Sequence, residues 1–426
     1  MEKASNQSKP KNRKKKRTSS NKKTSGDLLM EITAIAGEYP AKNIHRIIST
    51  KDYDKKVAAH LVSEKMLKKI AKDDLRGYRL NFAGKKKLME EMPDRFIGIL
   101  EGGTETNRLR TTRTRRLRLH SFAEVYTLMF NSGVEIFQDQ KPKVYLRPQF
   151  DSPSQSVHEN LAINNVLDID NSSSSGNQLQ HSEPLIITKP CFYTSREQKG
   201  KNDNAIRGSR AAGTLLTPTH VYAIYNTGNG SELKWNGGVE QRLMNEVRDY
   251  ICRKRMLNQY KGATVGGIMI GETMDILEKY LTVTEKNTLS YKFLTRTYRP
   301  FYYITNDIYG ELQLKFLCDN RKMTAINNAL LAKLLPPDKS HPVEHDAMTE
   351  DGIPVLFCFL LDIPRLEKFK ESIVWHGKVG KVIGFGFQEE MLKRHLGDKV
   401  EFTSLDFDGC KQRFFPEKNK NRKDDG

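Results

Sequence analysis

Gly77-Tyr78-Arg79-Leu80-Asn81-Phe82-Ala83-Gly84-Lys85-Lys86-Lys87-Leu88 decides how the N-terminal part of this chain is read. Tyr78 to Phe82 reads as a short strand. Met66 to Ile70 is its partner, across the charged segment Lys72-Asp73-Asp74-Leu75-Arg76-Gly77, so a two-stranded hairpin is expected, and the run from Ala83 leads into a helix. Upstream, Ser49 and Thr50 offer caps for a helix from about Lys51 to Lys65. Its polar face carries Lys51, Lys55, Lys56 and His60, and its inner face Val57, Leu61 and Val62. After Pro40, Ala41 to Ile48 reads as a shorter helix holding Ile44, Ile47 and Ile48. Further out, Leu28, Leu29, Ile32, Ile35 and Ala36 form the stripe of a first helix, with Asp27 placed to cap it and Gly37 near its end.

Three helices followed by a hairpin and a further helix resemble a winged helix-turn-helix. A "GYRLT"-like strand before an "xGxxxL" helix start is its signature, and Asn81 stands here where Thr is common. The resemblance implies a DNA-binding domain over residues 27–95, with the third helix in a major groove and Lys72, Arg76 and Arg79 near the backbone or minor groove. A protein-binding winged helix is the alternative. Basic residues on both the helix and the hairpin argue against it.

Residues 96–132 read as an Arg-rich helical linker. Arg108, Arg110, Arg113, Arg115, Arg116 and Arg118 could clamp phosphates beside the first domain, while Leu117, Val125, Leu128 and Met129 point to one packed face. From 133 to 412, strand-like and helix-like segments alternate: Thr219 to Tyr225, Val239 to Met256, Val265 to Ile270, Thr273 to Tyr280, Val355 to Leu361, Ile363 to Ile373, Gly380 to Phe387 and Gln388 to Leu396. This predicts an α/β domain with a largely parallel sheet, compatible with a degenerate restriction-endonuclease-like fold. The whole is thus an α+β and α/β multidomain chain. Residues 1–26 and 413–426 read as disordered basic tails, and a Ser, Asn and Gln-rich interval at 152–182 as an insertion.

The 426 residues carry 71 Lys and Arg against 52 Asp and Glu, a formal charge of +19, which favours a polyanionic partner. No apolar run approaches the length of a spanning helix, and no lipidation signal or signal peptide is found. No membrane partner and a cytoplasmic location are therefore expected. Cys191, Cys252, Cys318, Cys358 and Cys410 are widely spaced and read as reduced thiols.

Tyr193-Thr194-Ser195-Arg196-Glu197, Arg207-Gly208-Ser209-Arg210-Ala211-Ala212-Gly213 and Val221-Tyr222-Ala223-Ile224-Tyr225-Asn226-Thr227-Gly228 are the most distinctive local sequences. Following a winged helix and an Arg-rich helix, this order resembles the replication-relaxation proteins of plasmids and integrative conjugative elements. What the resemblance implies is a role in replication, DNA relaxation or mobilisation. Double-stranded DNA is then the main partner, and relaxosome or replication proteins and a homodimer are further associations.

Catalytic chemistry has weak candidates. Glu232-Leu233-Lys234 matches a nuclease triplet in which Glu232 would hold Mg2+ and Lys234 would orient the nucleophile, but Asn226 stands where a first carboxylate is needed. Tyr302 and Tyr303 are relaxase nucleophiles by type only, set in a strand-like context. His341 and His345 have the spacing of a helical metal pair but lie in a polar loop. Gly262-Ala263-Thr264-Val265-Gly266-Gly267 lacks the Lys-Ser/Thr of a phosphate loop. No cofactor is implied and no metal ligands are assigned. The leading expectation is a DNA binder without enzymatic activity. A metal-dependent nicking enzyme and a transcription regulator are the alternatives.

Overall fold

In a computed structural model, residues 24–48, 53–101, 112–145, 185–198, 208–228, 237–282, 284 and 288–416 are described. Helix α1 (Ser25–Ala36) begins one turn earlier than Asp27 would have it. Thr24 is the cap: its Oγ1 accepts from Asp27 N, and the Asp27 carboxylate accepts from Thr24 N at 3.1 Å. That reciprocal pair satisfies two backbone donors, where Asp27 as cap would satisfy one. Strand β1 (Tyr39–Pro40) follows. The expected second helix is a six-residue 3-10 turn, Ala41–Arg46, in which only Ile44 is buried. One apolar contact is too little to extend it into an α-helix.

Helix α2 (Tyr53–Ser63) lies within the predicted 51–65 span. The hairpin follows as β2 (Leu67–Lys72) and β3 (Leu75–Leu80), paired from Leu67↔Leu80 to Lys72↔Leu75. The turn is shorter than the expected 72–77 segment, because Asp73 and Asp74 both take positive φ, 55° and 61°, and close it in two residues. β1 pairs with the other side of β3, giving a three-stranded antiparallel sheet.

Asn81 caps helix α3 (Phe82–Glu91), its side chain accepting from Phe82 N at 3.0 Å, so the departure from Thr preserves the capping oxygen. Gly84 lets α3 approach the hairpin, since a Cβ there would stand 2.3 Å from the Met66 carbonyl oxygen. Helix α4 (Pro93–Leu100) is followed by the Arg-rich helix α5 (Arg113–Asn131).

Helix α5 does not bridge two separate cores. Leu119, Ala123, Val125, Tyr126, Leu128 and Met129 are buried. All but Leu119 belong to one cluster that runs from α1 into the larger sheet through Tyr222, Ile224, Ile268 and Ile270. Leu117 alone of the predicted apolar set is open to solvent. The N-terminal unit is tied down further by Arg46 Nη2 to Glu311 at 2.6 Å and Lys42 Nζ to Glu272 at 2.8 Å.

The larger, six-stranded sheet runs β11 (Leu361–Asp362), β8 (Phe301–Thr305), β7 (Val265–Gly271), β6 (Val221–Gly228), β5 (Gly213–Leu216), β4 (Cys191–Thr194). Its centre, β6 to β8, is parallel as expected, but β4, β5 and β11 pair antiparallel. Alternation along β6 puts Tyr222 and Ile224 in the core shared with α5, and Val221, Ala223 and Tyr225 in a second core on the opposite face. Beneath β4 a short helix, α6 (Ser195–Gln198), follows directly. Helix α7 (Gly237–Val247) runs into a π-helical stretch, Arg248–Arg255.

A second sheet of four strands, β13 (Val400–Leu405), β12 (Gly380–Phe385), β10 (Pro354–Phe357) and β9 (Ala347–Met348), is parallel except at β9. The alternating pattern therefore belongs to two mixed sheets. Among the described residues no helix is long and apolar enough to cross a membrane. The five cysteines are free, four of them buried.

Candidate nucleic-acid interface

The basic residues of the N-terminal unit divide into two sets. The first surrounds Glu38, which is 0% exposed. Arg79 Nε donates to its Oε2 at 2.9 Å, Arg116 Nη2 to its Oε1 at 2.6 Å, and His120 Nε2 to the same Oε1 at 2.8 Å. Burial on its own would raise the Glu38 pKa, but the hydrogen bonds from His120, Arg116 and Arg79 outweigh it and bring the value down to about 2. Gly77 makes room for this cluster: a Cβ at that position would meet Glu38 Oε1 at 2.5 Å and His120 Nε2 at 2.8 Å.

Arg116 also donates to the carbonyls of Lys72 at 2.7 Å and Leu75 at 3.2 Å, so helix α5 grips the hairpin beside its turn. Arg79 and Arg116, expected to meet phosphate, are 4% and 1% exposed; Arg79 donates to Glu38, and Arg116 to Glu38 and the hairpin. They hold the scaffold and do not face a ligand. The reason is the fully buried Glu38, whose charge would be costly to leave unpaired.

The second set is exposed. Lys55, Lys56 and His60 stand on the outer face of α2, as the helical spacing predicted, beside Tyr53 at 55% exposure. Lys72 and Arg76 flank the hairpin turn, and Lys68 and Lys69 lie along β2. On α5, Arg113, Arg115 and Arg118 are exposed. Among the described residues none of these Lys and Arg side chains makes an ion pair. Lys86 and Lys87 on α3, by contrast, pair with Glu90 and Asp27. Lys51, Arg108 and Arg110 lie outside the described residues.

Sequence reasoning passed over Lys68 and Lys69. Their signal was available, because two adjacent lysines in a hairpin strand leave at least one on the solvent side. The turn itself carries the carboxylates of Asp73 and Asp74. A polyanion would thus be met by the flanks of the hairpin and not by its tip.

Among the described residues the catalytic candidates are held as structural groups. Glu232 and Lys234 lie outside the described residues. Asn226 Nδ2 donates to Ser121 O at 3.1 Å and Glu124 Oε2 at 3.3 Å, fastening β6 to α5. Tyr303 is buried, donates to Thr273 O at 2.6 Å, and has its pKa pushed well up by burial, which suits a core residue and not a nucleophile. Both ring nitrogens of His345 are engaged, Nε2 by Asp338 N at 3.0 Å and Nδ1 with Val343 O at 2.6 Å. Among the described residues no three His, Cys, Asp or Glu side chains converge as metal ligands. Compared with known proteins, the chain matches no family model, no curated protein and no solved structure.

Proposed function

We propose that this protein binds double-stranded DNA through its N-terminal unit, acting as a winged helix-turn-helix. Helix α2 enters the major groove with Lys55, Lys56 and His60, while Lys68, Lys69, Lys72 and Arg76 on the hairpin flanks neutralise the adjoining backbone. The observation that carries this reading is the set of exposed, unpaired cations on two elements joined in sequence, beside a hairpin that Arg116 holds in fixed orientation. A net charge of +19 adds long-range attraction for a polyanion. The biological setting we infer is replication, relaxation or mobilisation of a plasmid or conjugative element. Its support is the order of motifs along the chain.

The test is a variant with Lys55, Lys56, Lys68, Lys69 and Arg76 changed to Ala. All five are exposed and unpaired, so folding should persist. Binding to duplex should weaken, and the dependence of log affinity on log salt should flatten by about one for each phosphate contact removed. Unchanged affinity with an unchanged salt slope would sink the assignment.

A further inference from the structure

Behind the outer face of α5 lies a recess of about 400 Å³, walled by the end of α1, α5, the segment around Ile136 and α6. Its apolar wall is formed by Ile35, Ile99, Leu119, Phe122 and Ile136. Arg115 and Arg118 enter from α5, and Arg196 from α6. Arg210 stands close enough that its charge acts on Arg118. Partial burial first, and then the Arg210 and Arg196 guanidinium groups, hold the Arg118 pKa below the usual arginine value.

The carboxylate in the recess, Glu197, is already occupied. Lys141 Nζ takes one oxygen at 2.9 Å and Thr194 N the other at 2.7 Å. Among the described residues no acid pairs with Arg115, Arg118, Arg196 or Arg210.

Like charges brought together without counter-charge need a reason, and three distant chain segments supply these. Arg196 and Arg210 come from two of the three distinctive stretches, which the duplex reading leaves unused. The second of these stretches is held by a buried acid: Glu240 accepts from Ser209 Oγ at 2.8 Å, Arg210 N at 2.9 Å and Tyr225 OH at 2.9 Å. A solvated surface arginine requires no such anchor.

We propose that this recess binds a nucleoside 5′-phosphate, with the phosphate on Arg115, Arg118 and Arg196 and the nucleoside against the apolar wall beside Phe122. Its volume suits one nucleotide, and its concavity suits a single unit better than a continuous duplex. The phosphate arrives on a free nucleotide or on the 5′ end of a DNA strand. The proposal stands independently of the duplex reading, because neither Arg196 nor Arg210 lies on α2 or the hairpin.

Calorimetric titration of the full chain tests it with four probes: dAMP, deoxyadenosine, and a short single strand with and without a 5′-phosphate. Saturable binding of dAMP identifies the free nucleotide as a ligand. Preference for the 5′-phosphorylated strand, without dAMP binding, identifies the strand end. In either case the phosphate-free counterpart should bind at least about tenfold more weakly, and Arg118→Gln/Arg196→Gln should remove about tenfold or more of the affinity. The α2 and hairpin variant above should bind the same probe normally, so failure of this proposal and failure of the duplex reading give different results. No binding of either phosphorylated probe, or equal binding by the Arg118→Gln/Arg196→Gln variant with its melting temperature unchanged, would overturn the inference.

Discussion

The inner and outer faces of helix α5 carry the same residue type and put it to opposite uses. Arg116 and His120, one turn apart, point inward and close on Glu38. Arg115, Arg118 and Phe122 follow the same helical spacing on the other side and line an open recess. On the inside the arginine charge is consumed by a buried acid and by backbone carbonyls. On the outside no acid among the described residues pairs with it. Arginine in a basic run is therefore not evidence of ligand contact until its helical face is known.

Removing one member of the inner set should have the largest effect. Arg116→Ala leaves Glu38 short of a charge partner and frees the hairpin carbonyls, at a cost of about 3–5 kcal/mol in denaturant unfolding. Because the same guanidinium holds β2 and β3, the proposed duplex binding should fall with it even though Arg116 is almost wholly buried. A loss of less than 1 kcal/mol would show that the inner cluster is not the anchor described.

The acid limb of stability probes the same cluster. Glu38 has its folded pKa depressed from 4.5 to about 2, so its stabilisation is present in full above the unfolded value and is lost as pH falls from about 4.5 toward 2. The difference corresponds to about 3 kcal/mol. His120→Ala removes the first of the donors that lower Glu38, so this variant should lose less stability over the interval, its acid limb levelling off at a higher pH than that of the native chain. Coincident acid limbs in pH-dependent thermal unfolding would contradict that role.

What the sequence disclosed about this comparison follows from range. The hairpin and the helix after it are set by near neighbours, and the stretch from Gly77 to Leu88 showed them in advance, although Asn81 and Phe82, read there as strand, are the cap and first residue of α3. The face of α2 that bears Lys55, Lys56 and His60 was equally plain from its spacing. Arg79 and Arg116 were misread because their partner lies 41 and 78 residues away, and nothing local marks Glu38 as buried. Helical periodicity within the arginine run could have separated Arg116 from Arg115 and Arg118, but it gives no sign of which face is inward. Arg196 and Arg210 stood in sequence stretches that were conspicuous without a role. Only the fold brings them beside α5. The antiparallel edges of the larger sheet were hidden for a similar reason, since β4 and β5 flank segments with little apolar pattern.

The smallest stability effect is expected on the outer face, and it tests the comparison most directly. Arg118→Ala removes a charge that has no acidic partner among the described residues and is repelled by Arg196 and Arg210. Unfolding free energy should stay within about 0.5 kcal/mol of the native chain, with any change toward greater stability as the repulsion is relieved. The exposed guanidinium also lies over the Phe122 ring at 5.5 Å, a contact whose loss pulls slightly the other way. Raising salt should shrink the stabilising part, because screening weakens repulsion between exposed charges and the native chain has more of it to lose than the variant. A loss of 2 kcal/mol or more on Arg118→Ala would mean that the outer arginines, like the inner ones, are structural. The division of α5 into a scaffold face and a binding face would then fail.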